Sequence, residues 1–339
     1  MTTALRSPTG EASLYIDGRL VGAASGATFA NVNPATDDVL GHVADASVDD
    51  ALAAVAAARR AFDESGWADD PAFRRRCLEQ LRAGFEAEKE RLRALIVAES
   101  GSPVTLTHGV QLQTPIDDLA YWAETAERYP YERALPDVTA FGVATRRLVR
   151  REPVGVAAAI TPWNFPFYLN VAKLAPALAA GCTVVLKPAP DTPWSATEIG
   201  WIAAEYTDIP PGVLNVLASS DPLVGEALVA SPGVDLVTFT GSTATGRRVM
   251  ATAAAGITRL CLELGGKSAA VVLDDAPFEA AVTAAARAVC VHAGQSCSLA
   301  TRLLVPRRRY EDAVALAGEV MDRGRPGDPT DPKVLHGPV

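Results

Sequence analysis

Short apolar runs alternate with longer runs of helical character along most of the second half of the chain. Residues 154–160, 183–186, 213–217 and 236–240 are mostly apolar without a period of two, which predicts strands covered on both faces. Residues 169–180, 194–206, 223–230 and 243–255 lie between and after them and predict helices. Strands and helices in alternation predict a parallel α/β sheet. Residues 259–264 differ. Leu260, Leu262 and Leu264 fall on one side and Arg259, Cys261 and Glu263 on the other, so this strand has one covered face. Beyond it, residues 269–273 and 303–305 predict strands, and residues 278–292 and 310–323 predict helices.

Upstream, residues 14–44 mix turn residues with short apolar runs and predict short strands and hairpins. Residues 49–62 predict a helix, with Ser47-Val48-Asp49-Asp50 as its N-cap and acidic first turn. Residues 71–100 predict a second helical region, closed by Gly101-Ser102-Pro103. Its charges (Arg74, Arg75, Arg76, Glu86, Glu88, Lys89, Glu90, Arg91) predict a solvated face. Residues 111–128 predict a third helix, and residues 140–150 an exposed strand or arm.

With 339 residues the chain can hold two domains and a large core. Lys and Arg number 31 against 40 Asp and Glu, a net charge of −9, and no basic run tracks a phosphate backbone, so nucleic acid is excluded as a partner. No apolar run would span a bilayer, and residues 1–10 lack a signal-peptide pattern, so no membrane partner is expected. Five cysteines with no CxxC pair predict a reducing, cytoplasmic setting rather than a disulfide framework. Four histidines without ligand spacing predict no metal site.

The candidate chemistry lies at predicted strand ends. Ligands of parallel sheets bind at the carboxyl ends of the strands, and Asn164, Lys187 and Gly241 each follow a strand, so one crevice can hold all three. Lys187 is at a position where a lysine is ordinarily solvated; in a nucleotide crevice it would hydrogen-bond ribose hydroxyls or a ribose phosphate. Gly241-Ser242-Thr243-Ala244-Thr245-Gly246 opens a helix and can seat a phosphate at its N-terminus. Arg247-Arg248 stand where a P-loop needs Lys then Ser or Thr, and GxGxxG is absent, so neither fingerprint applies. Asn164 sits between Trp163 and Phe165 and between Pro162 and Pro166, whose packing would hold its amide as an oxyanion donor. Glu263 precedes two glycines, where backbone can approach a ligand, and is the candidate general base. Cys297 lies in the polar stretch Gly294-Gln295-Ser296-Cys297-Ser298 and is the candidate nucleophile. Cys77, Cys182, Cys261 and Cys290 have apolar or helical neighbours and read as core thiols.

Taken together, Pro162-Trp163-Asn164-Phe165-Pro166, Lys187-Pro188-Ala189, Phe239-Thr240-Gly241-Ser242 with Gly246, Leu262-Glu263-Leu264-Gly265-Gly266-Lys267 and Gly294-Gln295-Ser296-Cys297 resemble the motif series of the NAD(P)-dependent aldehyde dehydrogenase superfamily. Order and spacing match along the whole chain. The resemblance implies oxidation of an aldehyde to a carboxylic acid with NAD, or NADP in its place. Cys297 would attack the carbonyl, and the Asn164 amide and Cys297 N–H would hold the oxyanion. Hydride would pass to the nicotinamide, and Glu263 would activate the water that splits the thioester, so hydrolysis is expected rather than acylation of coenzyme A. Ile160, Pro162, Trp163, Lys187, Gly241, Ser242, Gly246, Leu264 and Gly265 are implied to bind the cofactor, Lys187 at the adenosine ribose and Gly241, Ser242 and Gly246 near the pyrophosphate. Candidate tunnel positions are Phe167, Tyr168, Ser296 and Ser298. The implied architecture is a Rossmann-like parallel-sheet cofactor domain (1–127 and 151–261), an oligomerisation arm (128–150) and an incomplete α/β catalytic domain (262–339). A homo-oligomer is implied with it.

Two departures from the family pattern stand out. Many NAD-preferring members carry a glutamate after the Lys-Pro-Ala triplet, where this chain has Pro190 and then Asp191. The Asp191 carboxylate would repel a 2′-phosphate, so NAD is the expected cofactor. Family members also continue well beyond Val339, so the chain is expected to be a C-terminally truncated member. The rival expectation is an inactive chain that at most binds a dinucleotide.

Overall fold

The computed structural model describes residue 10 and residues 13–338. β1 (Leu14–Ile16) turns into β2 (Arg19–Val21), and β3 (Thr28–Val32) pairs antiparallel with β4 (Val39–Ala44). Asp17 and Gly18 between the first two strands both lie at positive φ, as a tight two-residue hairpin requires. α1 (Val48–Glu64) starts at a capping box. Asp50 N donates to Ser47 Oγ at 3.3 Å, and Ser47 N donates to Asp50 Oδ2 at 2.8 Å.

The region expected as one helical stretch is two helices, α2 (Pro71–Ala87) and α3 (Lys89–Ser100), parted at Glu88. Its charges do not all face water. Arg74 is 1% exposed and donates to the carbonyls of Ala179, Trp67 and Ala68 and to Tyr131 Oη. A buried cation persists only where such acceptors replace its hydration. α4 (Gln113–Arg128) leads into a hairpin of β5 (Glu132–Ala140) and β6 (Val143–Arg150), exposed along most of its length.

The chain then winds the main sheet through β7 (Val156–Ile160), α5 (Pro166–Ala180), β8 (Thr183–Lys187), α6 (Trp194–Tyr206) and β9 (Leu214–Val216). It continues through α7 (Pro222–Ala230), β10 (Leu236–Gly241), α8 (Thr243–Ala254) and β11 (Arg259–Leu264). The spatial order is β11-β10-β7-β8-β9-β1-β2, with β11 through β9 parallel and β1 and β2 antiparallel. β8 and β9 are buried throughout, and α1 and α5 both pack on β7 and β8. β11 is the sheet edge. Its leucines are half-buried on the core while Arg259, Cys261 and Glu263 are exposed, as the alternation predicts.

Past the sheet, β12 (Ala269–Val271) pairs in parallel with β13 (Arg302–Leu304), with α9 (Phe278–Val289) between them and α10 (Tyr310–Asp322) after. They enclose a small second core around Val272, Val282 and Ala313. The helix expected to reach residue 292 ends at Val289.

One buried acid ties the N-terminal helices to the sheet. α6 has no side-chain cap of its own, and Glu99 at the end of α3 supplies one. Glu99 accepts from Trp194 N (2.9 Å), Ser195 N (2.6 Å), Asn31 Nδ2 (3.0 Å) and the Ser195 hydroxyl. Burial pushes Glu99 up from 4.5 to about 7, against the pull of these donors. The folded chain therefore keeps a proton that the unfolded chain loses above pH 4.5. This contribution to stability is full below that pH and is lost as pH rises through 7, about 3 kcal/mol in all. Thermal midpoints measured across this range should fall in the native chain relative to Glu99→Gln, and parallel curves would contradict the assignment.

Candidate active site

The sheet reverses direction at β7. From there the chain builds outward to β8 and β9, then returns to lay β10 and β11 on the other side. A doubly wound sheet opens a crevice at such a point, outside the carboxyl ends of the strands. The register sets Ile160 beside Lys187 on β8 and beside Phe239 on β10. A cavity of about 290 Å³ lies there, lined by Ile160, Lys187, Gly225, Glu226, Thr245 and Arg248 among others. Glu226 of α7 and Arg248 of α8 form an ion pair between the two helices.

Lys187 is 7% exposed, not solvated as lysines at strand ends ordinarily are. Its Nζ donates to the carbonyls of Pro188 (3.2 Å) and Ser219 (3.4 Å). Burial lowers its pKa, with Asp45 and Asp221 opposing. Asp191 is exposed and does not line the cavity; Asp45 and Asp221 are the carboxylates that act on this lysine electrostatically, and Glu226 lines the cavity with it.

Gly241 ends β10, and a Cβ there would lie 2.4 Å from the Phe239 ring. Ser242 caps α8, its Oγ accepting from Thr245 N at 3.1 Å. The N–H groups of Thr243 and Ala244, in the first turn, have no acceptor among the described residues, which suits an anion. Gly246 is buried, and a Cβ there would lie 2.6 Å from Leu264 Cδ2. Its lack of a side chain lets α8 pack closely on β11. Leu264 is thus a packing partner of α8, while Gly265 has open space where a Cβ would be.

The turn after β7 carries Asn164. Its Nδ2 donates to Gln295 O at 2.7 Å, two residues before Cys297. Its own carbonyl accepts from Gln111 Nε2 (3.0 Å) and from His292 Nε2 (2.8 Å). Hydrogen bonds hold this residue more than the aromatic packing expected from the sequence. Phe165 is buried, but Trp163 is 41% exposed. Pro162 is half-buried beside it. An amide NH₂ has two hydrogens, so Asn164 retains one for a ligand. The segment Val291–Gly294 is a tight turn in which His292 (φ 50°), Ala293 (φ 54°) and Gly294 (φ 81°) are all left-handed. That turn ends the helix early and presents Cys297 at the surface.

Glu263 is exposed on β11, and no hydrogen bond joins it to Cys297 or Asn164 among the described residues. Lys173 on α5 is its charged neighbour. Lys173 is buried, donates to Thr238 Oγ1 at 2.9 Å, and has its pKa lowered by burial, with Cys261 and Glu263 opposing. Its one signal in the sequence is a charge inside the mostly apolar run of α5. Phe167, a candidate tunnel position, is fully buried against Phe85, so it belongs to the core; Tyr168 is half-buried. Among the described residues no group of three or more His, Cys, Asp or Glu is placed to hold a metal ion, and no helix is long and apolar enough to cross a membrane.

The strand order is that of the dinucleotide-binding α/β folds, and the cavity, the start of α8 and the Asn164 turn lie at the carboxyl ends of its strands. Residues 21–339 match the aldehyde dehydrogenase family, and the chain belongs to that family. It is 39% identical over 327 residues to 3-succinoylsemialdehyde-pyridine dehydrogenase of a Pseudomonas species, covering 96% of this chain and 66% of that protein. Lactaldehyde dehydrogenase of Escherichia coli is 38% identical over 319 residues, 94% of this chain and 65% of that protein. The crystal structure of a mutant aldehyde dehydrogenase C from Pseudomonas syringae, in complex with NAD⁺ and octanal, superposes with a TM-score of 0.91 at 36% identity, covering 98% of this chain and 66% of that one. The NAD⁺ complex of aldehyde dehydrogenase from Bacillus cereus also gives 0.91, at 34% identity, over 97% of this chain and 66% of that one. This chain therefore spans about two thirds of the length of the relatives it matches.

The thiols divide by accessibility. Cys77 and Cys182 are buried, Cys290 is half-buried, and Cys261 and Cys297 are exposed. Cys261, expected in the core, is exposed because it lies on the open face of the edge strand. Burial pushes Cys77 up to about 12 and raises Cys182. Ellman's reagent should therefore find two fast thiols in the folded chain, and Cys261→Ser and Cys297→Ser should each remove one. A single fast thiol would contradict this arrangement.

Proposed function

We propose that the chain oxidises an aldehyde to a carboxylic acid with NAD, NADP being the second choice, through a cysteine thiohemiacetal and thioester. The observation that carries this reading is the 2.7 Å bond from Asn164 Nδ2 to Gln295 O, which ties the amide after β7 to the loop that bears Cys297. The cofactor fits the residues present. The cavity with its buried Lys187 suits an adenosine, and the free N–H groups at the start of α8 suit its phosphates. Ile160, Pro162, Trp163, Lys187, Gly241, Ser242, Gly246, Leu264 and Gly265 would hold it, and when bound it supplies the hydride acceptor. Asp45 and Asp221 beside Lys187 disfavour an added 2′-phosphate, which supports NAD.

In this reading the Cys297 thiolate adds to the carbonyl carbon. The second hydrogen of the Asn164 amide and the Cys297 N–H hold the oxyanion, in a site where such donors act without reorganising. Glu263 takes the proton of the water that splits the thioester. Relatives of similar identity are named for a pyridine semialdehyde, lactaldehyde and geranial, so identity alone selects no aldehyde. The free thiols favour a reducing, cytoplasmic setting. We assign the cofactor domain to residues 1–127 and 151–264, because β11 runs to Leu264, with the arm at 128–150 for homo-oligomer contact and the catalytic part after it. A second reading, dinucleotide binding without turnover, is favoured by the exposed face of β11 that carries Glu263.

NADH formation with a panel of short aldehydes separates the two. Turnover is expected in the native chain and none in Cys297→Ser. Asn164→Ala should lose about 10²–10³ in turnover. Glu263→Gln should lose about 10²–10⁴ at steady state while still forming the acyl-enzyme. A folded native chain without turnover would leave only the second reading. In the same assay kcat/KM should favour NAD, and a preference for NADP would remove the role given to the acids beside Lys187.

A further inference from the structure

His292 is 1% exposed, and its environment is fully specified on one side only. Nε2 lies 2.8 Å from Asn164 O. A carbonyl can only accept, so Nε2 carries the hydrogen. Nδ1 is then a bare lone pair, buried and without a hydrogen-bond partner among the described residues. The ring also meets Phe165 edge-on at 5.2 Å. This neutral tautomer closes a ring of bonds. Its imidazole donates to the Asn164 carbonyl, the Asn164 amide donates to Gln295 O, and Gln295 returns through N and Nε2, each 3.1 Å from His292 O. The ring spans the turn where His292 and Ala293 are left-handed, a conformation that non-glycine residues hold only when surrounding contacts over-determine it.

We propose that His292 is a positioning residue, whose neutral imidazole locks the Asn164 amide to the cysteine loop and releases the loop on protonation. Adding a proton at Nδ1 would bury an N–H and a charge with nothing to receive them. Among the described residues no carboxylate acts on the ring. The titratable and charged residues on the adjoining segments are Cys290 and Cys297 on its own stretch, Arg287 in the last turn of α9, His108 in the turn before α4, and His336, whose Nδ1 contacts Cys290 O at 2.7 Å. Burial lowers the pKa of His292 from 6.5, opposed only by the Asn164 carbonyl. In an opened loop the imidazole regains its ordinary value. The closed loop is therefore favoured above pH 6.5, and this stabilisation is lost as pH falls from 6.5 toward the depressed value.

The inference rests on the roles proposed for Asn164 and Cys297, but its test reads loop opening and not turnover, so either can fail without the other. Peptide-resolved hydrogen–deuterium exchange, corrected for the intrinsic rate, should be run on the full chain across pH 5 to 8. Protection of peptides covering 291–297 and 162–166 should fall about tenfold per unit below pH 6.5, while β7 and β8 stay protected. His292→Gln keeps a donor for Asn164 O but does not titrate, so it should retain loop protection at neutral pH and lose the acid response. Protection that is independent of pH in the native chain would overturn the proposal, as would an acid response retained in His292→Gln. The native series decides by itself if that variant does not fold.

Discussion

A parallel strand can return to its starting edge only by crossing the face of its sheet, and this constraint organises the molecule. The crossover helices, together with α1, pack on the sheet, so the central strands are buried on both faces and their carboxyl ends share one edge. Where the winding reverses at β7, two crossovers diverge and the edge opens. The cavity beside Lys187, the first turn of α8 and the Asn164 turn all lie on that edge. Nothing in their local sequences would bring them together without the reversal.

The strand–helix alternation was legible because it follows from burial alone. α6 and β11 occur at the residues that periodicity predicts. What was not legible depended on partners distant in the chain. Arg74 looks like part of a solvated face until the carbonyl of Ala179, 105 positions away, is seen to accept from it. Cys261 looks like a core thiol from its apolar neighbours, but it lies on the open side of the alternating strand and is exposed. α9 stops short of residue 292 because His292 and Ala293 are left-handed, a conformation that the bonds around Asn164 and Gln295 hold and local composition does not show.

The candidate site reads from local sequence contexts and not from an arrangement. Glu263 precedes two glycines, and Cys297 follows Gly294-Gln295-Ser296. The support around them did not stand out. Lys173 and His292 are single polar residues in otherwise apolar surroundings, and a search for ligand spacings passes over both. Their meaning comes from burial, which turns an ordinary lysine and histidine into groups whose protonation is coupled to the structure around them.

The two bonds that join Asn164 to the cysteine loop span 128 and 131 residues of chain. A growing polypeptide can therefore complete β7 through β10, with its cavity and helix ends, long before the loop exists. Until then the Asn164 carbonyl lacks its histidine donor and its amide has no carbonyl to hold. The sheet's carboxyl edge and the cysteine loop are thus separated in time during synthesis, and Cys297 is constrained only once residues 291–297 have been made.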